Sequence, residues 1–536
     1  MLKPKWPDWL PPATHRTRLA GFLGALFVLL LLPIWCFDYF PSQDGPVHLY
    51  SAWLFKHLAD PDWTVVQSVF TASYRIPTNW MAQFALSLLL NITDVLTAHK
   101  LLLTGLLGLF VTSVWYFGRS FGHSNWRYLI LGFVLAYNYP LMVGFYNFLL
   151  ATSLMLFVLG LWFRMAGNGF RISRMALMLS VLLAATVAHP FPVALLCPLM
   201  ILQGTADLAL ALWTRRQAGN TTPLKTALAS PALRLLCLLL PLTLVVFQFN
   251  LFSWLDNLTL HRVAYPLKTQ LYYLFLNGSL LFISDLHSAV GLLFNALLLG
   301  GVLLTILARV ERRQGIYQKD WILAFALIMF AAFFMVPFGF SRPGMAFSYI
   351  NQRCHLLALL LLLGWLECPA QRATMKQALL AAGTACLLLY VGVLTHEFYY
   401  LNHEIRHYLK AVRFIPPHST LRGQMVDFFS SNHFGQIKYL APYTHLFSYY
   451  AMAAPDVAKL HDFGLGPRDV VHVKPGVKLR QLENDRIIFM GARQNRFARR
   501  LVANDERHYT RLFELEDLLV FARKPRAHAP LADQSK

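Results

Sequence analysis

The sequence predicts an all-α polytopic membrane protein of about eleven transmembrane helices, with a small α/β extracytoplasmic domain at its C-terminus. Three observations predict it. Of 536 residues, 57% are hydrophobic and only 14% charged, at a mean hydropathy of +0.47, whereas a soluble domain carries about 25% charged residues. Eleven apolar runs of near-spanning length are distributed over the first 400 residues. The basic residues between them recur on alternate loops. A soluble globular chain is excluded because so little charge cannot solvate so much surface. Disorder is excluded because 41 Phe, 22 Tyr and 13 Trp do not remain in water.

The elements follow in order. Residues 1–18 carry Lys3, Lys5, Arg16 and Arg18 and form a cytoplasmic N-terminus. About twenty apolar residues span a bilayer, and such runs lie at 19–37, 98–117, 128–143, 144–163, 174–190, 191–213, 233–254, 287–308, 321–339, 348–366 and 377–396. The first is followed by Trp35-Cys36-Phe37-Asp38 rather than small residues, so it reads as an uncleaved anchor. With eleven spans, all the basic loops fall on one face: Arg119 and Arg127; Arg164, Arg171 and Arg174; Arg215, Arg216, Lys225 and Arg234; Arg309, Arg312, Arg313 and Lys319; Arg372 and Lys376. The positive-inside rule makes that face cytoplasmic. The first outer loop, 38–97, contains the apolar stretch 79–90, too short to span and read as an interfacial helix. These spans and loops make a transmembrane domain over 19–396. Residues 397–524, the long polar part of the chain, read as an extracytoplasmic domain. Its alternating stretches at 485–490 and 518–522 are expected strands, and 525–536 reads as a disordered tail.

The net charge of +21 would suggest nucleic acid on a soluble chain. Here the charges lie in loops between spans, and no nucleic-acid partner is expected. Cys36, Cys197, Cys237, Cys354, Cys368 and Cys386 all fall in apolar stretches and make no disulfide framework. There is no phosphate-cradling G-x-x-x-x-G-K, no dinucleotide fingerprint and no G-x-S-x-G elbow. An energised substrate would therefore reach the protein through the membrane or from outside.

Ionisable residues at membrane depth are costly and mark candidate sites. Most of them map near the outer ends of spans. In Asp44-Gly45-Pro46-Val47-His48-Leu49, Asp44 stands at a helix start, whose positive end favours its ionised form. His48 lies one turn on. Asp44 reads either as a cap alone or as a reactive carboxylate. Lys100 opens the second span, Tyr146 and Asn147 the fourth, and His189 ends the fifth. Asn351, Arg353 and His355 lie in the first turns of the tenth, where an Arg either snorkels or lines a polar cavity. His403-Glu404-Ile405-Arg406-His407 matches the H-E-x-x-H zinc pattern. Arg406 opposes a cation there, and a solvated helix leaving the membrane is the plainer reading.

The opening span, the outer loop beginning Asp44-Gly45-Pro46-Val47-His48-Leu49, the helix start Pro77-Thr78-Asn79-Trp80, Lys100 at the next span and the late-span Arg353 together resemble the GT-C superfamily of integral-membrane glycosyltransferases. Protein mannosyltransferases and the lipid A aminoarabinose transferase belong to that superfamily. The likeness covers the architecture of nearly the whole chain, and a bacterial branch with a D-x-P-x-H opening is the nearest in pattern. Where the family has an acidic pair, this chain has Asp44 with His48; Asp60-Pro61-Asp62 lies beyond the first helix.

The resemblance implies a polyprenyl-phosphate-linked sugar as donor, an envelope glycan, lipid or protein as acceptor, and membrane lipids as surroundings. It implies inverting transfer on the extracytoplasmic face of a bacterial inner membrane. Asp44 would be the general base with His48 beside it. Lys100, Asn147, His189, Arg353 and His355 would bind substrate. The resemblance fixes no cofactor and leaves open a divalent metal ion. Two other classes stay open: a transporter or lipid-handling protein without covalent chemistry, and a zinc metalloprotease built on His403, Glu404 and His407. The absence of an internal repeat weighs against the transporter.

Overall fold

The structure, a computed structural model, describes residues 13–73, 78–121, 127–168, 171–217, 224–249, 261–263, 265–281, 283–311, 319–342, 345–367, 373–425, 440–460, 470–475, 477, 484–490, 496–516 and 518–524. The expected tail 525–536, most of the N-terminal segment 1–18 and Pro77 lie outside these residues. The chain forms two compact units, neither contiguous in sequence. One comprises residues 1–38, 76–82 and 100–398, the other 39–75, 83–99 and 399–536.

The first unit is helical. Among the described residues, five helices are long and apolar enough to cross a membrane, over Val95–Phe121, Tyr146–Met165, Pro190–Leu210, Leu286–Glu311 and Thr374–Phe414, the first and the last reaching beyond this unit. Shorter apolar helices at Leu19–Trp35, Ile130–Val143, Ile172–Ala188, Ala232–Val245, Asp320–Met335 and Ile350–Trp365 occupy the other expected runs. The run 128–143 is not one rod. It divides into α6 (Ile130–Val134) and α7 (Tyr139–Val143). The first ends at the Leu135 C-cap, and Asn138 caps the second, its side-chain oxygen accepting the Leu141 N–H at 3.0 Å with Pro140 in the first turn. That is the Asn-x-Pro start signal acting inside an apolar run. Gly144, at φ 98°, then closes α7 in the left-handed region before α8 (Tyr146–Asn168) begins.

The helices differ in what surrounds them. Along α13 (Leu286–Glu311), His287, Val290, Gly291, Phe294, Leu298, Gly301, Thr305 and Ala308 are buried at helical spacing. Leu292, Leu299, Leu303 and Ile306 on the remaining face are exposed and equally apolar. A helix apolar on both its packed and its open face suits lipid rather than water. By contrast, α15 (Ile350–Trp365) is buried on every side. It packs along α14 (Asp320–Met335), so its polar residues Asn351, Gln352, Arg353 and His355 lie in the protein interior. A close approach fixes one glycine: a Cβ on Gly291 would stand 2.0 Å from the Leu276 carbonyl oxygen, at the end of α12 (Leu267–Phe275). A short antiparallel sheet, β2 (His261–Val263), β3 (Gly339–Arg342) and β4 (Met345–Phe347), joins two connecting loops that the periodicity leaves irregular.

The second unit is α/β. Five strands are ordered β6 (Val457–Leu460), β5 (Ser419–Met425), β8 (Arg486–Met490), β10 (Leu518–Arg523) and β9 (Tyr509–Leu515). β5 runs parallel to both its neighbours, and β10 antiparallel to both of its own. β8 and β10 are the two strands expected from alternation. Ile487, Phe489, Leu519 and Phe521 form a core with Val502 of α18 (Arg496–Asp505).

Segments of the 38–97 loop are built into this same unit. β1 (Phe70–Ala72) pairs antiparallel with β7 (Val471–Val473). The Tyr50 hydroxyl of α2 (Gly45–His57) donates to the Val457 carbonyl and accepts from the Lys459 N–H. Asp456, fully buried at φ 53°, accepts the Val65 and Val66 N–H groups at 3.0 and 2.8 Å. It thus caps α3 (Thr64–Val69) from nearly 400 residues away, satisfying two of the helix's open donors.

Candidate functional site

In the second unit, Asp44 occupies the N-cap position of α2, but its side chain makes no capping hydrogen bond. Only its carbonyl serves the helix, accepting the His48 N–H. The carboxylate is held elsewhere. Gln43 Nε2 donates to Oδ1 at 3.3 Å, and His445 Nε2 stands 3.6 Å from the same oxygen. Gln43 is held in turn through its Oε1, which accepts the Ala441 N–H. The His445 side chain is 6% exposed and that of Asp44 17%. A carboxylate and an imidazole in contact, at the positive end of a helix, can hold or exchange a proton. His48, expected beside Asp44, is engaged by another element. Its Nδ1 lies 2.8 Å from Gln83 Nε2, which can only donate, so Nδ1 is the acceptor and the neutral ring carries its proton on Nε2.

In the first unit, Arg353 and His189 come together. The Arg353 guanidinium lies over the faces of Phe145, Phe148 and Phe191, at 4.2, 5.2 and 5.6 Å from their centroids. Its Nη1 stands 3.5 Å from His189 Nε2. His189 Nδ1 accepts the Phe191 N–H at 3.1 Å. A neutral imidazole that accepts at Nδ1 carries its proton on Nε2, so Arg353 and His189 turn N–H donors toward one another. Such a pair, cupped by rings, suits a shared anion. Tyr349 sets its position: this residue enters the left-handed region at φ 61° at the start of α15 and accepts the Arg353 N–H with its carbonyl. Rings of Tyr139, Phe145 and Phe338 surround it, the surroundings a bulky residue needs to hold so sparsely populated a conformation.

The other expected residues have different positions. Asn147 is a backbone clamp, its Oδ1 accepting the Ala82 N–H at 2.7 Å and its Nδ2 donating to the Asn79 carbonyl at 2.9 Å. His355 pairs with Ser279 at 3.0 Å and packs against Phe330 and Phe333. The Lys100 ammonium lies 5.9 Å over the Trp35 ring, whose Nε1 donates to Thr104. In the H-E-x-x-H segment, buried Glu404 accepts the Tyr443 hydroxyl, and His407 meets Glu516 at 3.5 Å. Burial, with Glu404 adding to it, pushes the Tyr443 phenol well above its ordinary value. Among the described residues no three His, Cys, Asp or Glu side chains are grouped to hold a metal ion.

Sequence reasoning missed His445 and Gln83, which no spacing connects to Asp44 or His48. It also missed a buried pair in the first unit, His287 with Glu397 at 3.2 Å, where Ser284 donates to the carboxylate. An acidic residue at the end of a long apolar run was the available signal for Glu397.

No protein-family model matches the chain, and no curated protein resembles it significantly.

Proposed function

We propose that this chain is a membrane glycosyltransferase of the GT-C kind. It would cross a bacterial inner membrane eleven times and move a sugar from a polyprenyl phosphate to an acceptor hydroxyl on the extracytoplasmic face. The observation that carries the proposal is the pair of donors at Arg353 and His189 within three phenylalanine rings. A phosphate ester on an apolar chain needs cationic and N–H donors for its oxygens and an apolar surface beside them.

The chemistry divides into two tasks. The leaving polyprenyl phosphate is a stable anion that needs no protonation. Arg353 and His189 hold it and stabilise the charge that grows on it as the sugar departs. The second task, a general base that takes the acceptor's proton as its oxygen attacks the anomeric carbon with inversion, is the one the GT-C resemblance gives to Asp44. His445 steadies the Asp44 carboxylate before attack, and Gln43 orients it. His48, Lys100, Asn147 and His355 serve as supports, in the contacts already given.

The test is the lipid that co-purifies with the full-length protein, identified by mass spectrometry for wild type, Asp44→Asn and Arg353→Ala. A polyprenyl phosphate or its sugar adduct retained by Asp44→Asn and lost from Arg353→Ala supports the reading. Bulk phospholipid alone in all three, with no transfer from added polyprenyl-phosphate sugar, overturns it.

A further inference from the structure

A connection between helices ordinarily runs over the surface, where water satisfies its backbone. The turn that follows α12 does not. Leu276, Asn277, Ser279, Leu280 and Leu281 are all buried, and Asn277 stands at φ 59° in the left-handed region. Non-helical backbone persists at membrane depth only where protein surrounds it and supplies partners. Here the Ser279 carbonyl accepts the Tyr139 N–H at 2.8 Å, and the Asn277 carbonyl accepts the Leu280 N–H at 2.8 Å. Asn295 of α13 accepts from the Asn277 side-chain amide at 3.1 Å and donates to the Leu274 and Phe275 carbonyls. Gly291 of the same helix lets the Leu276 carbonyl come close.

On one side this turn meets the helix that carries Arg353. Ser279 Oγ is hydrogen-bonded at 3.0 Å to Nδ1 of His355, two residues after Arg353 on α15. Tyr139, held by the Ser279 carbonyl, sets its ring 5.6 Å from that of Tyr349, whose own carbonyl accepts the Arg353 N–H. On the other side α13, which braces the turn, is held by Glu397 of α16 (Ala373–Tyr408). His287 Nδ1, in the first turn of α13, stands 3.2 Å from Glu397 Oε2, and Ser284 donates to the other carboxylate oxygen. His287 and Glu397 are both fully buried. A carboxylate taken out of water inside an apolar helix is costly and marks a candidate for function.

We infer that Ser279 and Glu397 are positioning residues for the Arg353 site. Glu397 fixes α13 through His287, and α13 fixes the turn 276–281 through Asn295. Ser279 then fixes the start of α15 through His355 and, through Tyr139, the Tyr349 backbone that orients Arg353. Both residues act through Arg353 rather than on the substrate. The inference rests on the reading of Arg353 and His189 as the holders of the donor's phosphate.

The test titrates the full-length protein in detergent with undecaprenyl phosphate, read by native mass spectrometry, beside hydrogen exchange of the protein without lipid. Ser279→Ala should weaken binding about threefold to tenfold and Glu397→Ala about tenfold, within the range of coupling that a packed network carries. Combined, the two losses should be less than additive, because both act on one turn. Glu397→Gln keeps an oxygen for Ser284 and should bind within about threefold of wild type. Gly300→Ala, on α13 with open space at its Cβ position, should bind as wild type does. In Glu397→Ala the amides around Arg353 should exchange faster, while those in the middle of α8 keep their wild-type rates. If Glu397→Ala does not fold, Ser279→Ala carries both readouts. Undiminished binding in the folded Ala variants overturns the positioning role alone, and so does exchange that rises uniformly over the unit. A wild type that binds no undecaprenyl phosphate overturns the donor-site reading, and the positioning role falls with it.

Discussion

The Asp44 carboxylate stands 3.6 Å from the His445 imidazole, and Gln43, next to Asp44 in the chain, accepts the Ala441 N–H. A helix-capping residue has thus been diverted from its helix to a partner supplied by the C-terminal region. If Asp44 is the base, Asp44→Asn should lower transfer at least about a hundredfold, the usual contribution of a positioned base. Since its side chain makes no capping bond, thermal stability should change little. His445→Gln should cost roughly tenfold in kcat with KM for the acceptor less affected, because a positioning residue acts through Asp44. Steady-state kinetics beside a thermal melt checks both.

Arg353 meets three phenylalanine faces and a histidine. Arg353→Lys keeps the charge but loses the planar fork and the stacking. It should weaken retention of polyprenyl phosphate by about tenfold, and Arg353→Ala should abolish it. Lipid-to-protein ratios in purified samples measure this, and wild-type retention in Arg353→Ala would remove Arg353 from the site.

Asp456 accepts two N–H groups of α3 and meets His418 at 2.9 Å. Asp456→Ala leaves two helix donors without their acceptor and should destabilise the second unit by about 2–3 kcal/mol. Because β6 begins one residue later, hydrogen exchange should rise in both α3 and β6, although the two are remote in sequence.

His57 stacks flat on Trp63 at 4.0 Å and packs against Trp53. Burial first, then Lys56, holds its imidazole below the ordinary 6.5, with Asp60 opposing them. The folded state therefore favours the neutral ring. This contribution to stability is present above pH 6.5 and is lost as pH falls through the lower folded value. Acidification from about pH 7.5 to 5 should loosen the stack, seen as a change in tryptophan emission. His57→Phe should remove that part of the pH response, and an unchanged response in the variant would assign it to another group.

A Cβ on Gly291 would stand 2.0 Å from the Leu276 carbonyl oxygen, which is backbone and cannot rotate away. Gly291→Ala should therefore cost about 3 kcal/mol or more and show as a loss of folded protein on size-exclusion chromatography. Gly300→Ala, on the same helix with open space at the Cβ position, should be neutral.

Local physics made much of this chain legible in its sequence. Long apolar runs form helices because backbone groups away from water must pair within their own segment, and the order of residues is enough to show them. Alternation marked β8 and β10 for a similar local reason. The run 128–143 reads as one span by hydropathy alone, and the Asn138 cap with Pro140 after it is the local signal of its break that this reading passed over. The position of Asp44 at a helix start was readable, as was the placing of Arg353 within an apolar helix.

What those side chains touch was decided only by tertiary structure. Helical spacing joins Asp44 to His48, yet His48 turns to Gln83 and Asp44 to His445. Spacing within one helix relates residues a turn apart and carries no information about which distant strand or loop closes on them. The same holds for Arg353 and His189, and for Asp456 capping a helix nearly 400 residues earlier. Composition and periodicity determined that this chain builds apolar helices and a small sheet. The pairing of its charges was settled by long-range packing, because a buried polar group takes whichever partner the fold brings within hydrogen-bonding distance.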